Sequence, residues 1–330
     1  MINARILGNS LVNPVGLGCM SLSWAYGVPP GEDDAIALLN RSLDLGYNHL
    51  DTANIYGLGH NETLLGKALK GRRKEFFLAT KMGIVIDGAR RGIDCSPAAI
   101  KRCVDESLTR LQTDHIDLYY MHRPDRTVPI EDSMGAMAEL VTAGKISHVG
   151  LSEMSAETLR RAHAVHPVAA LQTEYSLWTR NPEIAVLETC AELGTTFVAF
   201  SPVGRGALAG GVSDVAALVE KDLRRGMPRF QGANWDCNLD LIQQFNALAA
   251  DAGVTPAQLA LAWVLSRGSH VVAIPGTASM AHMAENIARW DWALPPALAA
   301  QLDALINQQT VAGPRYGAAI QASVGTEEFA

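Results

Sequence analysis

The chain has 330 residues, of which 48% are hydrophobic and 18% charged, a balance typical of a folded globular protein that argues against extended disorder. Its formal net charge is −7 and it contains no long run of Lys or Arg, which disfavours binding to nucleic acid. Five scattered cysteines without CxxC spacing, an N-terminus without signal-peptide organisation and the lack of any apolar stretch near ~20 residues predict a cytoplasmic protein with no metal site and no membrane association.

The first predicted element is a small hairpin, because apolar stretches at residues 4–7 and 11–12 flank the turn-forming sequence GNS. Short patterns typical of buried strands follow at intervals along the rest of the chain. The eight predicted strands are Val15–Gly18, Tyr47–Leu50, Phe76–Thr80, Ile116–Met121, Ile146–Gly150, Ala169–Gln172, Thr196–Phe200 and Val271–Ile274.

Longer stretches with helical character separate these strands. Several begin at Ser or Thr, in two cases with Pro next, and two end at Gly, which are the usual start and stop signals of helices. The predicted helices are Asp33–Leu45, Asn61–Leu69, Ser96–Leu111, Pro129–Ala143, Ser155–Ala164, Pro182–Leu193 and Thr255–Ser266.

The alternation of strand and helix predicts an α/β fold, a parallel sheet with right-handed crossovers. Eight units favour a closed (β/α)8 TIM barrel over an open doubly wound sheet. The open sheet would need a GxGxxG turn after a strand, and the GLG at residues 16–18 is followed by CMS instead. We therefore predict a single domain over residues 1–330.

Two segments are additional to the strands, helices and short loops of a minimal barrel. Gly204–Leu239 is predicted to be a long loop after the seventh strand, and loops of this length usually act as lids or binding loops. The tail beyond Asn307 has weak periodicity, so it either lies over the barrel mouth or frays at the terminus.

Polar residues follow nearly every predicted strand, at the end of the barrel where chemistry occurs in this fold. Asp51, Lys81 and His122 follow three consecutive strands, so the barrel should bring them side by side. Each one alone is more typical of a helix cap, a solvated side chain or a packed histidine, and their joint placement is what indicates a site. Tyr56 lies five positions beyond Asp51 in a loop with nearby glycines that could fold back toward the mouth.

These four residues could together reduce a carbonyl group. Hydride addition leaves an alkoxide that needs a proton from a positioned acid, which Tyr56 could supply. We expect Lys81 to lower the pKa of the phenol, Asp51 to keep Lys81 protonated, and His122 to donate a hydrogen bond to the carbonyl oxygen.

The same residues resemble the Asp, Tyr, Lys and His tetrad of the aldo-keto reductase superfamily. The surrounding motifs cover nearly the whole chain in order: GLGCM, DTANIYG, ATKMG, LYYMHRPD, GKISHVGLSE, LQTEYSLW, AFSPVGRG and IPGT. The long-chain bacterial and plant members, which include perakine-reductase-like proteins, are the most similar. The resemblance implies an NADP(H)-dependent oxidoreductase that converts an aldehyde or ketone to the alcohol, with Asp51, Tyr56, Lys81 and His122 as catalytic residues.

The resemblance also implies an extended NADP(H) lying across the barrel mouth. Gly18, Cys19, Met20 and Asp51 would lie near the nicotinamide, whose carboxamide would bind Ser152 and Gln172 and whose ring would stack on Phe200. The pyrophosphate would bind Ser201, Pro202, Val203, Gly204, Arg205 and Gly206. The adenosine end would bind Gly276, Thr277, Ser279, His282, Glu285 and Asn286.

Two departures from the family pattern bear on the cofactor. Glu153 stands where many members have Asn, and because a carboxylate cannot donate a hydrogen bond we expect it to point elsewhere. The stretch IPGTASMAHMAEN contains no Lys or Arg for a 2′-phosphate, which leaves His282 and the backbone amides of the following helix. NAD(H) therefore stays open beside NADP(H).

The substrate pocket is expected to include Tyr56 and His122 together with Trp24, just beyond the first strand. Other aromatic candidates for this pocket are Tyr26, Tyr175, Trp178 and Trp235. Two further functions are compatible with the fold: a non-catalytic nicotinamide-binding regulatory subunit that resembles potassium-channel β subunits, and a different barrel enzyme such as a phosphate-binding isomerase. The latter leaves the tetrad unexplained. The sequence leaves the carbonyl substrate and the oligomeric state open.

Overall fold

Eight parallel strands in the computed structural model form one sheet that closes on itself. The structure describes residues 4–88 and 90–329, so the two ends of the predicted 1–330 domain lie outside the described residues. In chain order the strands are β1 (Arg5–Leu7), β2 (Ser10–Val12), β3 (Leu17–Gly18), β4 (His49–Asp51), β5 (Phe77–Met82), β6 (Ile84–Asp87), β7 (Arg90–Ile93), β8 (Ile116–Met121), β9 (Ile146–Ser152), β10 (Val168–Glu174), β11 (Thr196–Phe200) and β12 (Val271–Ile274).

The barrel strands are neighbours in the order β3, β4, β5, β8, β9, β10, β11 and β12. The seam between the last strand and the first is closed by backbone hydrogen bonds. The Gly16 amide donates to the Ala273 carbonyl and the Ala273 amide to the Pro14 carbonyl, both at 2.8 Å. Gly18 also pairs with Gly276 as an isolated parallel bridge. The predicted (β/α)8 barrel is confirmed.

Helices connect the barrel strands and cover the outside of the sheet. In chain order they are α1 (Glu32–Asp44), α2 (His60–Ala68), α3 (Pro97–Leu111), α4 (Ile130–Thr142), α5 (Ala156–Val165), α6 (Val186–Leu193), α7 (Gly232–Asp251), α8 (Pro256–Leu265), α9 (Met280–Ala288), α10 (Pro296–Leu305) and α11 (Ala318–Gln321). The Ser96, Ser155 and Thr255 hydroxyls each cap a helix by accepting a backbone amide hydrogen bond, as their sequence positions predict.

Within residues 4–88 and 90–329, no single helix has the length and apolar character to cross a membrane. Helices α7 and α8 meet that test only as a pair, bent by 89° at the break between them. Eight of the ten residues of α8 are buried within the protein.

The N-terminal hairpin of β1 and β2 is confirmed, and it packs against the interior of the barrel. Its residues Leu7 and Val12 are buried in one cluster with inward-facing residues of the barrel strands, among them Leu118, Val198 and Val272. Arg5 fixes the hairpin by donating to the carbonyl oxygens of Leu265 and Gly268, at 2.7 and 2.9 Å. The mouth at the opposite end, where the strands finish, holds the polar residues.

Four strands run further toward the mouth than their sequence patterns predict. The predictions end at Leu50, Thr80, Gly150 and Gln172, whereas β4, β5, β9 and β10 continue to Asp51, Met82, Ser152 and Glu174. Asp51, Lys81 and Ser152 are therefore strand residues rather than residues that follow a strand. A polar side chain interrupts an apolar strand pattern even when, as here, it is buried.

The long segment after β11 is shorter than predicted. Irregular structure and short 3-10 turns extend to Gln231, and α7 begins at Gly232, so the last part of the predicted Gly204–Leu239 loop is helical. The prediction also omitted the β6–β7 hairpin and helices α7, α10 and α11, and it gave no bounds for α9, the helix after IPGT.

The tail beyond Asn307 does not fray; it folds over the barrel mouth. Tyr316, Gly317 and Ile320 line the cavity there. The Gly325 amide donates to the Glu153 carbonyl at 2.7 Å, which ties the tail to the end of β9.

Candidate active site

Two neighbouring strands, β4 and β5, and the loop after β4 place a lysine, a carboxylate and a tyrosine together at the mouth. Lys81, on β5, is buried and forms an ion pair with Asp51 at the end of β4. Its Nζ also donates to the Thr52 carbonyl at 2.8 Å and to the Tyr56 hydroxyl at 3.3 Å. The residues at 51, 56 and 81 thus lie together, as the sequence predicts.

The charge on Lys81 is secured by its neighbours. Burial lowers the pKa of the ammonium, but the Asp51 carboxylate and the Tyr56 hydroxyl outweigh that effect, and the pKa is raised above its ordinary value. The second oxygen of Asp51 accepts a hydrogen bond from the Gln172 amide at 2.7 Å. Both carboxylate oxygens are therefore engaged, which fixes the orientation of the pair.

The pKa of Tyr56 differs from the expectation. Burial raises the pKa of the phenol more than the nearby Lys81 ammonium lowers it, so the net shift is upward. The expected net lowering is wrong for the protein without cofactor, because burial disfavours the phenolate. The phenol consequently stays protonated at neutral pH. The Lys81 ammonium contacts the Tyr56 hydroxyl and would stabilise the phenolate after the proton has left.

His122 follows β8 and faces Tyr56 across the same pocket. The two rings meet edge to face, with centroids 5.9 Å apart and an interplanar angle of 82°. Burial, followed by the positive charges of Arg123, Lys81 and Arg91, holds the pKa of His122 well below its usual value. The imidazole is therefore neutral, and its buried Nδ1 has no hydrogen-bond partner among the residues that the structure describes.

A cavity of about 930 Å³ opens above these residues. Two residues predicted for the cofactor, Gly204 and Ser279, do not line it: Gly204 lies against Trp178, and the Ser279 hydroxyl caps α9. The predicted residues that do line it are Gly18, Cys19, Met20, Trp24, Asp51, Tyr56, His122, Ser152, Gln172, Phe200, Ser201, Pro202, Val203, Arg205, Gly206, Gly276, Thr277, His282, Glu285 and Asn286.

The aromatic candidates divide into two groups. Trp24 and Tyr26 line the cavity, and Trp24 is 40% exposed. Tyr175, Trp178 and Trp235 are instead buried in the hydrophobic core, so their prediction as pocket residues is wrong. Their large apolar surfaces fill the space between the barrel and the segment after β11, which sequence spacing does not distinguish from a pocket lining.

The end of the cavity nearest Tyr56 fits a flat amide-bearing ring. The Ser152 hydroxyl is buried there without a partner in residues 4–88 and 90–329, although a buried hydroxyl normally has one. Opposite it the barrel seam is tightly packed, since a Cβ on Gly18 would lie 2.8 Å from the Ile274 carbonyl oxygen. The nicotinamide carboxamide would supply the missing partner for Ser152, so these residues fit the cofactor that the sequence predicts.

The segment after β11 differs from the prediction in the role of its arginine. The Arg205 guanidinium forms an ion pair with the buried Glu174 at 2.5 Å and donates to the hydroxyls of Tyr26 and Tyr316 at 2.8 and 2.9 Å. Its charge is thus already neutralised. A pyrophosphate at this position would meet the backbone of Ser201–Gly206 rather than a free cation.

The same segment bridges the mouth to the loop after β3. The Leu223 amide donates to the Ala25 carbonyl at 3.0 Å, and the Gly27 amide donates to Asp222 at 2.9 Å. Arg224 pairs with Asp222 at 2.7 Å. These contacts join loops that are nearly 200 positions apart, and no local pattern in the sequence indicates them.

The far end of the cavity lies at the start of α9. Thr277, His282, Glu285 and Asn286 line it there, and no Lys or Arg among the described residues joins them. A 2′-phosphate at this end would therefore be bound by neutral groups and backbone amides.

Glu153 points away from the cavity, as its carboxylate chemistry predicts. It is fully buried with a left-handed φ of 56°. Its carboxylate pairs with Arg315 of the tail at 2.5 Å and accepts a hydrogen bond from Thr326 at 2.7 Å. Glu153, the residue that departs from the family pattern, thus anchors the tail.

Several cavity residues were absent from the predicted site, among them Arg91, Arg123, Tyr316 and Ile320. Three of these four belong to the β6–β7 hairpin or the tail, which are elements whose position over the mouth has no local sequence signal. Arg123 follows His122 directly, and its place in the LYYMHRPD motif was the one signal that could have indicated it.

Comparison with known proteins agrees with this architecture. The sequence model of the aldo/keto reductase family matches residues 14–307. Among solved structures, the chain is similar to a glycerol dehydrogenase from Gluconobacter oxydans, with 29% identity, a TM-score of 0.84 and coverage of 92% of this chain and 94% of that chain.

Two further structures are similar over nearly their whole length. The holo form of an aldo-keto reductase from Bacillus halodurans is 28% identical with a TM-score of 0.76, covering 93% of this chain and 97% of its own. An aldo-keto reductase from Klebsiella pneumoniae in complex with NADPH is 28% identical with a TM-score of 0.73, covering 96% of this chain and 99% of its own.

Proposed function

The chain belongs to the aldo/keto reductase family of oxidoreductases, and on this premise we propose that it reduces an aldehyde or ketone with NADP(H), using Tyr56 as the proton donor. The observation that carries the proposal is the contact of Lys81 with both Asp51 and the Tyr56 hydroxyl beneath one cavity. The NADPH bound in the similar Klebsiella pneumoniae structure supports the choice of cofactor.

The reaction consumes one carbonyl compound, one NADPH and one proton and yields the alcohol and NADP⁺. When bound, the nicotinamide supplies a hydride to the carbonyl carbon. The Tyr56 hydroxyl transfers its proton to the carbonyl oxygen as negative charge develops there. The neutral His122 imidazole donates a hydrogen bond to the same oxygen and orients it.

Lys81 and Asp51 stabilise the phenolate that the proton transfer leaves on Tyr56. The raised pKa of Tyr56 keeps the phenol protonated until the alkoxide, a much stronger base, takes the proton. The phenolate that remains lies beside the Lys81 ammonium, which stabilises it until a proton returns from solvent. Asp51 holds this ammonium in position and in its charged form.

The cofactor residues follow from the same placement. We propose that Ser152 and the carbonyl oxygen of the Gln172 side chain bind the carboxamide, since the Gln172 amide nitrogen is already committed to Asp51. Phe200 would stack on the ring, the backbone of residues 201–206 would bind the pyrophosphate, and the start of α9 would bind the adenosine phosphate.

The substitution Tyr56→Phe tests the proton donor. We expect turnover of an aldehyde to fall at least ~10²-fold, because general acid catalysis typically contributes 10²–10⁴-fold. Absorbance of NADPH follows turnover, and nucleotide fluorescence follows binding, which we expect to persist.

Tyr119→Phe is the matched control, because this tyrosine lies on β8 in the cluster between the barrel and the helices. Its variant should react at the rate of the unaltered protein. A Tyr56→Phe variant with undiminished turnover would refute the assignment. No NADPH consumption by the unaltered protein with any aldehyde or ketone would instead favour a nicotinamide-binding regulatory protein.

A further inference from the structure

A buried cation without a counter-charge lies beside the proposed catalytic residues. Arg123 follows His122, lines the cavity and is only 9% exposed. One guanidinium nitrogen, Nη1, donates to the His122 carbonyl at 2.8 Å. Its buried Nε has no hydrogen-bond partner in the part of the chain that the structure describes, and no carboxylate there forms an ion pair with it.

A second arginine reaches the same part of the cavity. Arg91 lies on β7 and lines the cavity with Arg123. Burial, and then the positive charge of Arg123, lower the pKa of Arg91. The two guanidinium groups therefore repel each other across the cavity.

The carboxylates of the cavity do not neutralise these arginines. Two carboxylates line it within residues 4–88 and 90–329, Asp51 and Glu285. Asp51 is committed to Lys81 and Gln172, and Glu285 lies on α9 at the other end. A buried charge without a partner is costly, so an anionic ligand would be stabilised at this place.

The position also separates Arg123 from the proposed phosphate sites. In the closed order of eight strands, β8 lies four places from β12, which is the opposite side of the barrel. The adenosine end follows β12 and the proposed pyrophosphate segment follows β11, three places from β8, whereas Arg123 follows β8 next to His122 and Tyr56. The anion that Arg123 would bind is therefore carried by the substrate and not by the cofactor.

We propose that the carbonyl substrate carries a carboxylate, which Arg123 binds with help from Arg91 while the carbonyl oxygen lies at Tyr56 and His122. A planar guanidinium can present two N–H groups to a carboxylate in two parallel, charge-assisted hydrogen bonds. The products of reduction are then hydroxy acids. This inference rests on the proposed reductase function and specifies its substrate class.

Two aldehydes of matched shape test the inference. The unaltered protein is assayed with NADPH and either 4-carboxybenzaldehyde or methyl 4-formylbenzoate. We expect kcat/KM to be about 10- to 100-fold higher for the carboxylate, the range that a charge-assisted hydrogen bond provides. In Arg123→Met the ratio should fall toward one, and in Arg102→Met, an exposed arginine on α3, it should keep its original value.

A binding measurement tests the same inference without relying on turnover, so it remains informative if a variant reacts slowly. Benzoate and benzamide are titrated by calorimetry into the protein loaded with NADP⁺, and benzoate should bind more tightly by a similar factor. Arg123→Lys, which keeps the charge but not the two-pronged geometry, should give an intermediate preference.

Two outcomes are distinguishable from failure of the reductase function, and a third refutes both proposals. Turnover of both aldehydes without preference for the carboxylate would overturn the inference and leave the proposed function intact. A higher KM for NADPH in Arg123→Met would assign the guanidinium to the cofactor and also overturn it. Absence of turnover with any aldehyde or ketone, together with equal binding of benzoate and benzamide, would refute both proposals.

Discussion

The substitution Arg315→Met tests whether the tail is held over the mouth by a buried ion pair. The side chain of Arg315 is 2% exposed and that of its partner Glu153 is fully buried, at a distance of 2.5 Å. Methionine has a similar length and no charge. The variant therefore leaves the Glu153 carboxylate inside the protein without its cation.

The size of the effect follows from what Glu153 retains. Removal of one partner from a buried ion pair costs about 3–5 kcal/mol. Glu153 still accepts hydrogen bonds from Thr326 at 2.7 Å and from the Glu174 amide at 3.1 Å, which favours the lower end of that range. We expect the free energy of unfolding to fall by about 3 kcal/mol, a large part of the 5–15 kcal/mol of a typical protein.

Urea denaturation followed by tryptophan fluorescence measures this change, and limited proteolysis reports whether the tail is released first. The double variant Glu153→Gln with Arg315→Met removes both charges and should recover most of the loss, because no buried charge is then left unpaired. A loss below about 1 kcal/mol in the single variant, or no recovery in the double variant, would refute the reasoning.

Two further predictions concern the barrel seam and the coenzyme. Gly18→Ala should destabilise the protein by about 1–3 kcal/mol and weaken NADPH binding, because its Cβ would lie 2.8 Å from the Ile274 carbonyl oxygen. In thermal melts Gly31→Ala, whose Cβ would meet Asp34 only at an ordinary contact distance of 3.9 Å, should differ by less than about 0.5 kcal/mol, and equal effects would contradict the crowding argument. Fluorescence titration should give Kd values for NADPH and NADH within about tenfold, since no Lys or Arg in residues 4–88 and 90–329 lines the adenosine end. A preference above about 100-fold, undiminished in His282→Ala, would mean that another group binds the 2′-phosphate.

The barrel could be predicted from the sequence because its signals are local and repeated. Each buried strand is a short apolar run, and its helix begins and ends with recognisable capping residues. The ends of the strands could not be predicted as well. Asp51, Lys81 and Ser152 interrupt the apolar pattern, yet the barrel interior satisfies or encloses them, so the strands continue through them.

Three of the four residues, Asp51, Lys81 and His122, could be placed because their positions depend only on strand order. Strands β4, β5 and β8 are neighbours, so residues at their ends must converge. The net pKa shift of Tyr56 could not be foreseen, because it depends on how deeply the loop buries the phenol. Arg205 was assigned to the phosphates for a similar reason, since its partner Glu174 is adjacent only in three dimensions.

The seam that closes the barrel also has a consequence for how the chain is made. Arg5 donates to the carbonyl of Leu265, 260 positions further along, so the first part of the chain cannot complete its contacts until the last strand has been synthesised. At the usual 5–20 residues per second, that interval is roughly 13–50 s. During this time β3 has a free edge on a growing ribosome-bound sheet, where it is open to pairing with the wrong strand. Closure of the barrel is thus a late, long-range step, and the segment that most needs protection during synthesis is the one that emerges first.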